Sequence, residues 1–228
     1  MTTVLVVDDQ DLIRAGLAAL LRAAPGIEVA GEAANGEEAV RLASALRPEV
    51  ILMDIRMPAM SGITATERIL AEAGDPPPKI MVLTTFDLDE YVYAALRAGA
   101  CGFLLKSAGP ERLLAAVDVV AAGDLLFAPT VTRRLVESYL NSPLARSAGP
   151  ATHPDLSVLT SRELEVLRLV GTGLSNLEIA NKLVISESTV KTHLNRTMTK
   201  LGLSSRAQAV VLAYETALVV PGGLDVPQ

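Results

Sequence analysis

The sequence predicts two domains of different class: a parallel sheet covered by helices on both faces, then a small all-helical domain. Three observations predict this. Up to about residue 125, five short apolar runs alternate with amphipathic stretches at helical spacing. From Leu159 onward, helical periodicity continues without strands. Between the two textures, "NSPLARSAGPATHPD" is rich in Pro, Ser, Ala and Gly and has no apolar period, so it reads as a flexible linker.

The elements follow in order. Val4–Val7, Ile27–Ala33, Val50–Met53, Ile80–Leu83 and Gly102–Leu105 have the length and branched apolar content of buried strands. Helical stretches lie over Leu12–Ala23, Glu37–Leu46, Ile63–Ala73, Leu88–Ala98 and Pro110–Ala122. Asn35 and Ser61 can cap helices, Pro110 suits a first helical position, and Gly99 and Gly123 suit helix ends. Five βα units in a row imply a parallel sheet with helices on both faces. Pro129–Leu140 reads as a short connecting helix. In the second domain "TSRE" (Thr160 with Glu163) and "SNLE" (Ser175 with Glu178) match capping boxes, and Ser186 starts another helix. The expected bounds are residues 1–123 for the first domain, 124–156 for connecting helix and linker, 157–218 for the second domain, and 219–228 for a frayed tail.

Composition narrows the function classes. The chain has 228 residues, 50% hydrophobic and 20% charged, enough for a core and too apolar for global disorder. No apolar run approaches the ~18 residues of a membrane span, and no basic segment leads into an apolar one as a secretory signal would. Cys101 is the single cysteine, so an intramolecular disulfide is impossible and a reducing cytoplasm is expected. The net charge of −6 is uneven: residues 1–125 carry −8, whereas Lys182–Arg206 holds five bases against one acid, Glu187. That asymmetry assigns any polyanion partner to the second half.

The first candidate site is a set of strand ends. Ligands of parallel open sheets bind outside the carboxyl ends of the strands. There the sequence delivers Asp8 and Asp9 from the first strand, Asp54 from the third, Thr84 and Thr85 from the fourth, and Lys106 from the fifth. Clustered carboxylates repel, and a hard divalent cation such as Mg2+ relieves that while keeping waters for a phosphate. One carboxylate can then attack a phosphoryl group, with a Thr hydroxyl and the Lys amine on its oxygens.

On the motifs "VDDQ", "MDIRMPAMSG", "LTTF" and "GFLLKS", residues 1 to about 123 resemble a two-component receiver domain, a doubly wound α/β fold with strand order 2-1-3-4-5. The resemblance implies that Asp54 is the phosphoacceptor. It implies that Asp8, Asp9, Asp54 and the backbone carbonyl of Arg56 hold Mg2+. Thr84 would be the switch hydroxyl, Lys106 the counter-charge and Phe103 the aromatic switch. Thr84 is preferred to Thr85 because the family places a small residue after the switch hydroxyl. Ser107 departs from the Pro that many receivers carry after the lysine.

In the second domain, two helices flank a tight turn near Val184–Ser186. The second of them separates into an inward face of Val190, Leu194, Met198 and Leu201 and an outward stripe of Ser188, Lys191, Thr192, Asn195 and Thr199. Lys and Asn on such a stripe can bond base edges, and Thr offers a hydroxyl or a methyl. From "LTSRELEVLRLVGTGLSN" to "SSRAQAVVLAY", the chain resembles the LuxR-type helix-turn-helix domain. That implies a scaffold helix over Ser175–Leu183 and a recognition helix over Ser186–Leu201. Lys191, Thr192 and Asn195 would read bases, and Thr189, Arg196 and Lys200 would contact phosphates. His193 is expected to pack and His153 has no assigned role.

The whole chain is thus similar to a NarL/FixJ-type response regulator. That resemblance implies a sensor histidine kinase and double-stranded promoter DNA as partners, and a homodimer when active. No membrane association and no enzymatic turnover beyond slow self-phosphorylation and dephosphorylation are expected. Phosphatases of the haloacid dehalogenase type share the Asp, Thr and Lys set. Their nucleophile sits on the first strand, however, with an acid two residues later, where this chain has Asp54 on the third strand and Arg56. A receiver with protein binding as its only output is the other alternative, and the recognition-helix stripe argues against it.

Overall fold

The computed structural model describes residues 1–84, 89–121 and 154–220. Thr85, His153, Gly123, the connecting helix expected at 129–140, most of the expected linker and residues 221–228 lie outside the described residues. The chain divides into two compact units, Met1–Leu126 and Phe127–Gln228.

The first unit alternates strand and helix: β1 (Thr2–Val7), α1 (Asp11–Ala23), β2 (Ile27–Ala33), α2 (Gly36–Leu46), β3 (Val50–Asp54), α3 (Gly62–Glu72), β4 (Lys79–Thr84), α4 (Asp89–Ala98), β5 (Gly102–Leu105) and α5 (Pro110–Ala121). All neighbouring strands pair parallel, in the order β2-β1-β3-β4-β5. The period of two along each strand divides the core. Val4, Val6, Val50, Leu52, Met81 and Leu83 face Leu21 of α1 and Leu113, Val117 and Val120 of α5. Leu5, Val7, Ile51, Met53 and Ile80 face Ala39 and Ala43 of α2 and Ala65 and Ile69 of α3. Both faces being covered explains why the strands read as unbroken apolar runs. Burying each Val or Leu so completely contributes roughly 1.5–3 kcal/mol.

Register then aligns the strand ends. Val7 of β1 pairs with Met53 of β3, Asp54 with Leu83 of β4, and Thr84 with Leu105 of β5. The residues that follow each last pair therefore emerge on one edge of the sheet. The expected caps hold: Asn35 accepts from the Glu38 N–H and Ser61 from the Thr64 N–H.

Among the described residues, the second unit has a 3-10 turn (Leu156–Val158) and four helices: α6 (Ser161–Gly171), α7 (Asn176–Leu183), α8 (Glu187–Leu201) and α9 (Arg206–Glu215). Both expected capping boxes are closed, and Ser186 caps α8 by accepting from the Thr189 N–H at 3.1 Å. Val166, Leu167 and Val170 of α6, Ile179 of α7, Val190 and Leu194 of α8 and Val210 and Val211 of α9 are buried. One expected inward position is corrected. Met198 is only half-buried, and Thr197 is fully buried instead. Its hydroxyl donates to the His193 carbonyl at 2.9 Å, so the polar group is satisfied within the helix and does not register as polar to the core.

Helix α7 ends at Val184 in the left-handed region, φ 54 and ψ 49, with 89% of the residue exposed. A β-branched residue there strains the backbone, and its exposed side chain recovers little by packing. Val184→Asn is therefore expected to stabilise the second unit by about 1 kcal/mol, seen as a higher urea midpoint at unchanged slope. A lower midpoint would show that the valine packs better than its exposure indicates.

Candidate functional site

The edge of the sheet gathers the expected acids. Asp8 is fully buried, Asp54 is 5% exposed and Thr84 is 8% exposed, while Asp9 is more open. Asp8, Asp9 and Asp54 each offer a carboxylate oxygen within 4.8 Å of the others. Lys106, directly after β5, reaches back across the edge. Its ammonium lies 2.7 Å from Asp8 Oδ2 and 2.8 Å from Asp54 Oδ2, with the side chain 7% exposed. Its own N–H donates to the Thr84 carbonyl at 2.7 Å, so the β4–β5 ladder fixes where the lysine begins.

Electrostatics follow from this packing. Burial raises the Asp54 pKa, the Lys106 hydrogen bond and charge pull it down less strongly, and the nearby Asp8 adds to the rise. Burial alone would lower the Lys106 pKa, but the hydrogen bonds from Lys106 to Asp54 and Asp8 outweigh it and the net shift is upward. Asp9 Oδ1 is buried and makes no hydrogen bond within the described residues. A buried carboxylate oxygen left unpaired beside two further carboxylates is the donor set a hard cation takes, so the residues fit a divalent ion.

Two supporting contacts were not legible in the sequence. Arg14 of α1 donates to the Asp8 backbone carbonyl at 2.8 Å and pairs with Asp11 at 2.6 Å, fastening the point where β1 turns out of the sheet. Gly62, the first residue of α3, has its α-carbon so close to β3 that a Cβ would lie 1.9 Å from the Asp54 carbonyl oxygen. Only glycine permits that approach. The motif containing Gly62 signalled that it matters, but no local pattern identifies its neighbour. Arg56 also stacks 5.0 Å above the Tyr91 ring of α4, a cation–π contact between the Asp54 loop and that helix. Phe103 is buried on β5, 8% exposed.

In the second unit, Ser188, Lys191, Thr192, Asn195 and Thr199 of α8 are exposed, forming the expected stripe. Lys191 sits 3.5 Å from Glu187, with 56% of its side chain exposed, a surface pair of little weight. The Thr192 hydroxyl donates to the Ser188 carbonyl at 2.9 Å, which favours its methyl over its hydroxyl as a contact group. Arg196 is exposed. The other two expected phosphate contacts differ: the Thr189 hydroxyl lies 2.7 Å from Ser186 Oγ in the helix cap, and the Lys200 ammonium is 2.7 Å from Glu163.

Residues 4–118 match the response regulator receiver domain family, and residues 157–213 match the bacterial regulatory proteins of the luxR family. The chain is a two-component response regulator of the NarL/FixJ type. Relatives of this response regulator extend over almost its whole length. It is 43% identical to the transcriptional regulatory protein LiaR of Bacillus subtilis over 96% of this chain and 100% of the relative. It is 37% identical to the nitrate/nitrite response regulator NarL of Escherichia coli K12, over 93% and 95%. The crystal structure of the Salmonella typhimurium RcsB response regulator matches with a TM-score of 0.52 at 26% identity, over 92% and 96% of the two chains. No helix among the regulator's described residues is long and apolar enough to cross a membrane.

Proposed function

We propose that Asp54 accepts a phosphoryl group from a sensor histidine kinase and that the phosphorylated chain binds promoter DNA as a dimer. The observation that carries this reading is the Lys106 ammonium, 2.8 Å from Asp54 and 2.7 Å from Asp8 in a buried pocket of three carboxylates.

In the transfer, an Asp54 carboxylate oxygen forms the new P–O bond as the donor's bond to phosphorus breaks, and the donor leaves with that electron pair. Asp8, Asp9, Asp54 and the Arg56 backbone carbonyl are the groups that would hold Mg2+. When bound, that ion supplies positive charge for the phosphoryl oxygens. Lys106 would exchange its Asp54 contact for a phosphoryl oxygen, and the Thr84 hydroxyl would donate to another. Loss of the Lys106–Asp54 bond and movement of Thr84 free Phe103 to change its packing on β5. To move from 1:99 to 99:1 active, phosphorylation must favour the active state by about 5.5 kcal/mol. Two recognition helices would then span half-sites about 34 Å apart. Turnover is expected to stay slow, limited to self-phosphorylation and dephosphorylation.

The test is phosphate-affinity electrophoresis after incubation with acetyl phosphate. Wild type is expected to give a retarded band only with Mg2+, and Asp54→Asn to give none. A retarded Asp54→Asn band would place the acceptor elsewhere. No wild-type band from either acetyl phosphate or the matched kinase would sink phosphorylation as the input.

A further inference from the structure

Several cations of the second unit are spent inside the fold. Arg206, opening α9, donates to the Leu174 carbonyl at 2.6 Å and to Asn176 Oδ1 at 2.5 Å, at the N-terminal end of α7. Arg162, in the first turn of α6, donates to the Leu183 carbonyl at 3.1 Å, at the other end of α7. Lys200, in the last turn of α8, sits 2.7 Å from Glu163 Oε2 and 3.3 Å from the Val158 carbonyl. Helix ends leave carbonyls without intrahelical partners, and cations near a C-terminus suit the partial charge there.

Glu163 makes the Lys200 contact more than a surface pair. Its side chain is 5% exposed, and the same Oε2 accepts from the Thr160 N–H at 2.8 Å and the Thr160 hydroxyl at 2.9 Å. The Lys200 hydrogen bond, followed by that from the Thr160 backbone, pushes the Glu163 carboxyl down to about 2. The carboxylate that caps α6 is thereby also the anchor for the end of α8, 37 residues along the chain. Lys191 and Arg196 differ in kind: Lys200, though 38% exposed, holds a buried carboxylate, whereas Lys191 has, among the described residues, only a 3.5 Å contact with the half-exposed Glu187, and Arg196 is exposed.

We propose that Arg162, Lys200 and Arg206 are positioning residues, fastening both ends of α7 and the far end of α8, and that Lys191 and Arg196 bear the charge that meets DNA. The proposal rests on the DNA-binding reading of this unit. A cation already paired inside the protein displaces no counterions from DNA when the complex forms. It therefore adds nothing to the salt dependence, whereas each phosphate-neutralising cation adds about 0.9 to the slope of log K against log salt. Only part of the local excess of base over acid is then available to a duplex.

The experiment has two arms on the full chain. In free protein, peptide-resolved hydrogen exchange of Lys200→Met and of Glu163→Gln is expected to speed by about tenfold in residues 156–163, with Lys200→Arg retaining the wild-type rate. A phosphate contact would leave exchange without DNA untouched. In the second arm, binding to a mixed-sequence DNA duplex is followed across a salt series. Lys200→Met is expected to give a weaker line parallel to wild type, and Arg196→Ala a line shallower by about 0.9. Wild-type exchange in Lys200→Met together with a slope reduced by about 0.9 would overturn the proposal. If wild type showed no salt-dependent binding at all, the DNA-binding reading would fail, while the exchange arm would still decide whether Lys200 anchors α8.

Discussion

Lys106→Met is expected to destabilise the first unit by about 3 kcal/mol at pH 7 in metal-free buffer, because two buried carboxylates lose their shared counter-charge. The wild-type ammonium lies within 2.8 Å of both, and the methionine chain fills similar space without charge. In wild type the contribution of Lys106 is fully present below the ordinary lysine pKa. It is lost as pH rises through the raised pKa of the folded state. Asp54 works in the same direction, in a lower pH window. Between the ordinary aspartate value and its raised value, the folded protein keeps a proton that the unfolded chain has released, so stability from this group falls as pH rises through that window. The Lys106→Met deficit should therefore shrink on acidification, as Asp54 takes up a proton, and should also shrink on adding Mg2+. Urea unfolding at several pH values, with and without Mg2+, measures both. A variant as stable as wild type at pH 7 without metal would refute the charge balance argued for this pocket.

Lys191→Ala is expected to weaken binding to a target promoter tenfold to hundredfold, the effect of losing about 1–3 kcal/mol of base contact. Its stability should not change, since the side chain is 56% exposed and its 3.5 Å pair with Glu187 is weak. Asn195→Ala should fall in the same range, because Asn195 is exposed one helical turn further along the stripe. Fluorescence anisotropy on a promoter fragment selected with phosphorylated wild type measures both. Wild-type affinity in the two variants would mean that α8 does not enter the groove by this face.

The outcomes at individual residues show which signals are local. Asp8, Asp54 and Lys106 were readable because each follows a short apolar run, and a parallel sheet brings run ends to one edge. Thr160, Ser175 and Ser186 were readable because a cap bonds to a backbone N–H three residues on. Arg14 and Gly62 escaped because their partners are carbonyl oxygens, which every residue carries and no sequence pattern distinguishes. Thr197 escaped because its hydroxyl is satisfied four residues back, leaving a side chain that packs as an apolar one.

Among the described residues, sequence alone determined the class of both domains, the bounds of the five strands, of α1 to α5 and of α7 and α8 to within a residue or two, and the identity of the acids at the sheet edge. The reason is that hydrophobic period, capping and turn chemistry act over fewer than about five residues. Tertiary structure alone decided which charges are paired within the fold. Lys200 and Lys191 look alike in the sequence, nine positions apart on one helix. A buried glutamate from another helix takes the first, and the second keeps its ammonium on the surface. Charge pairing acts through space, at distances set by how helices pack, and a count of bases along the chain carries no record of it.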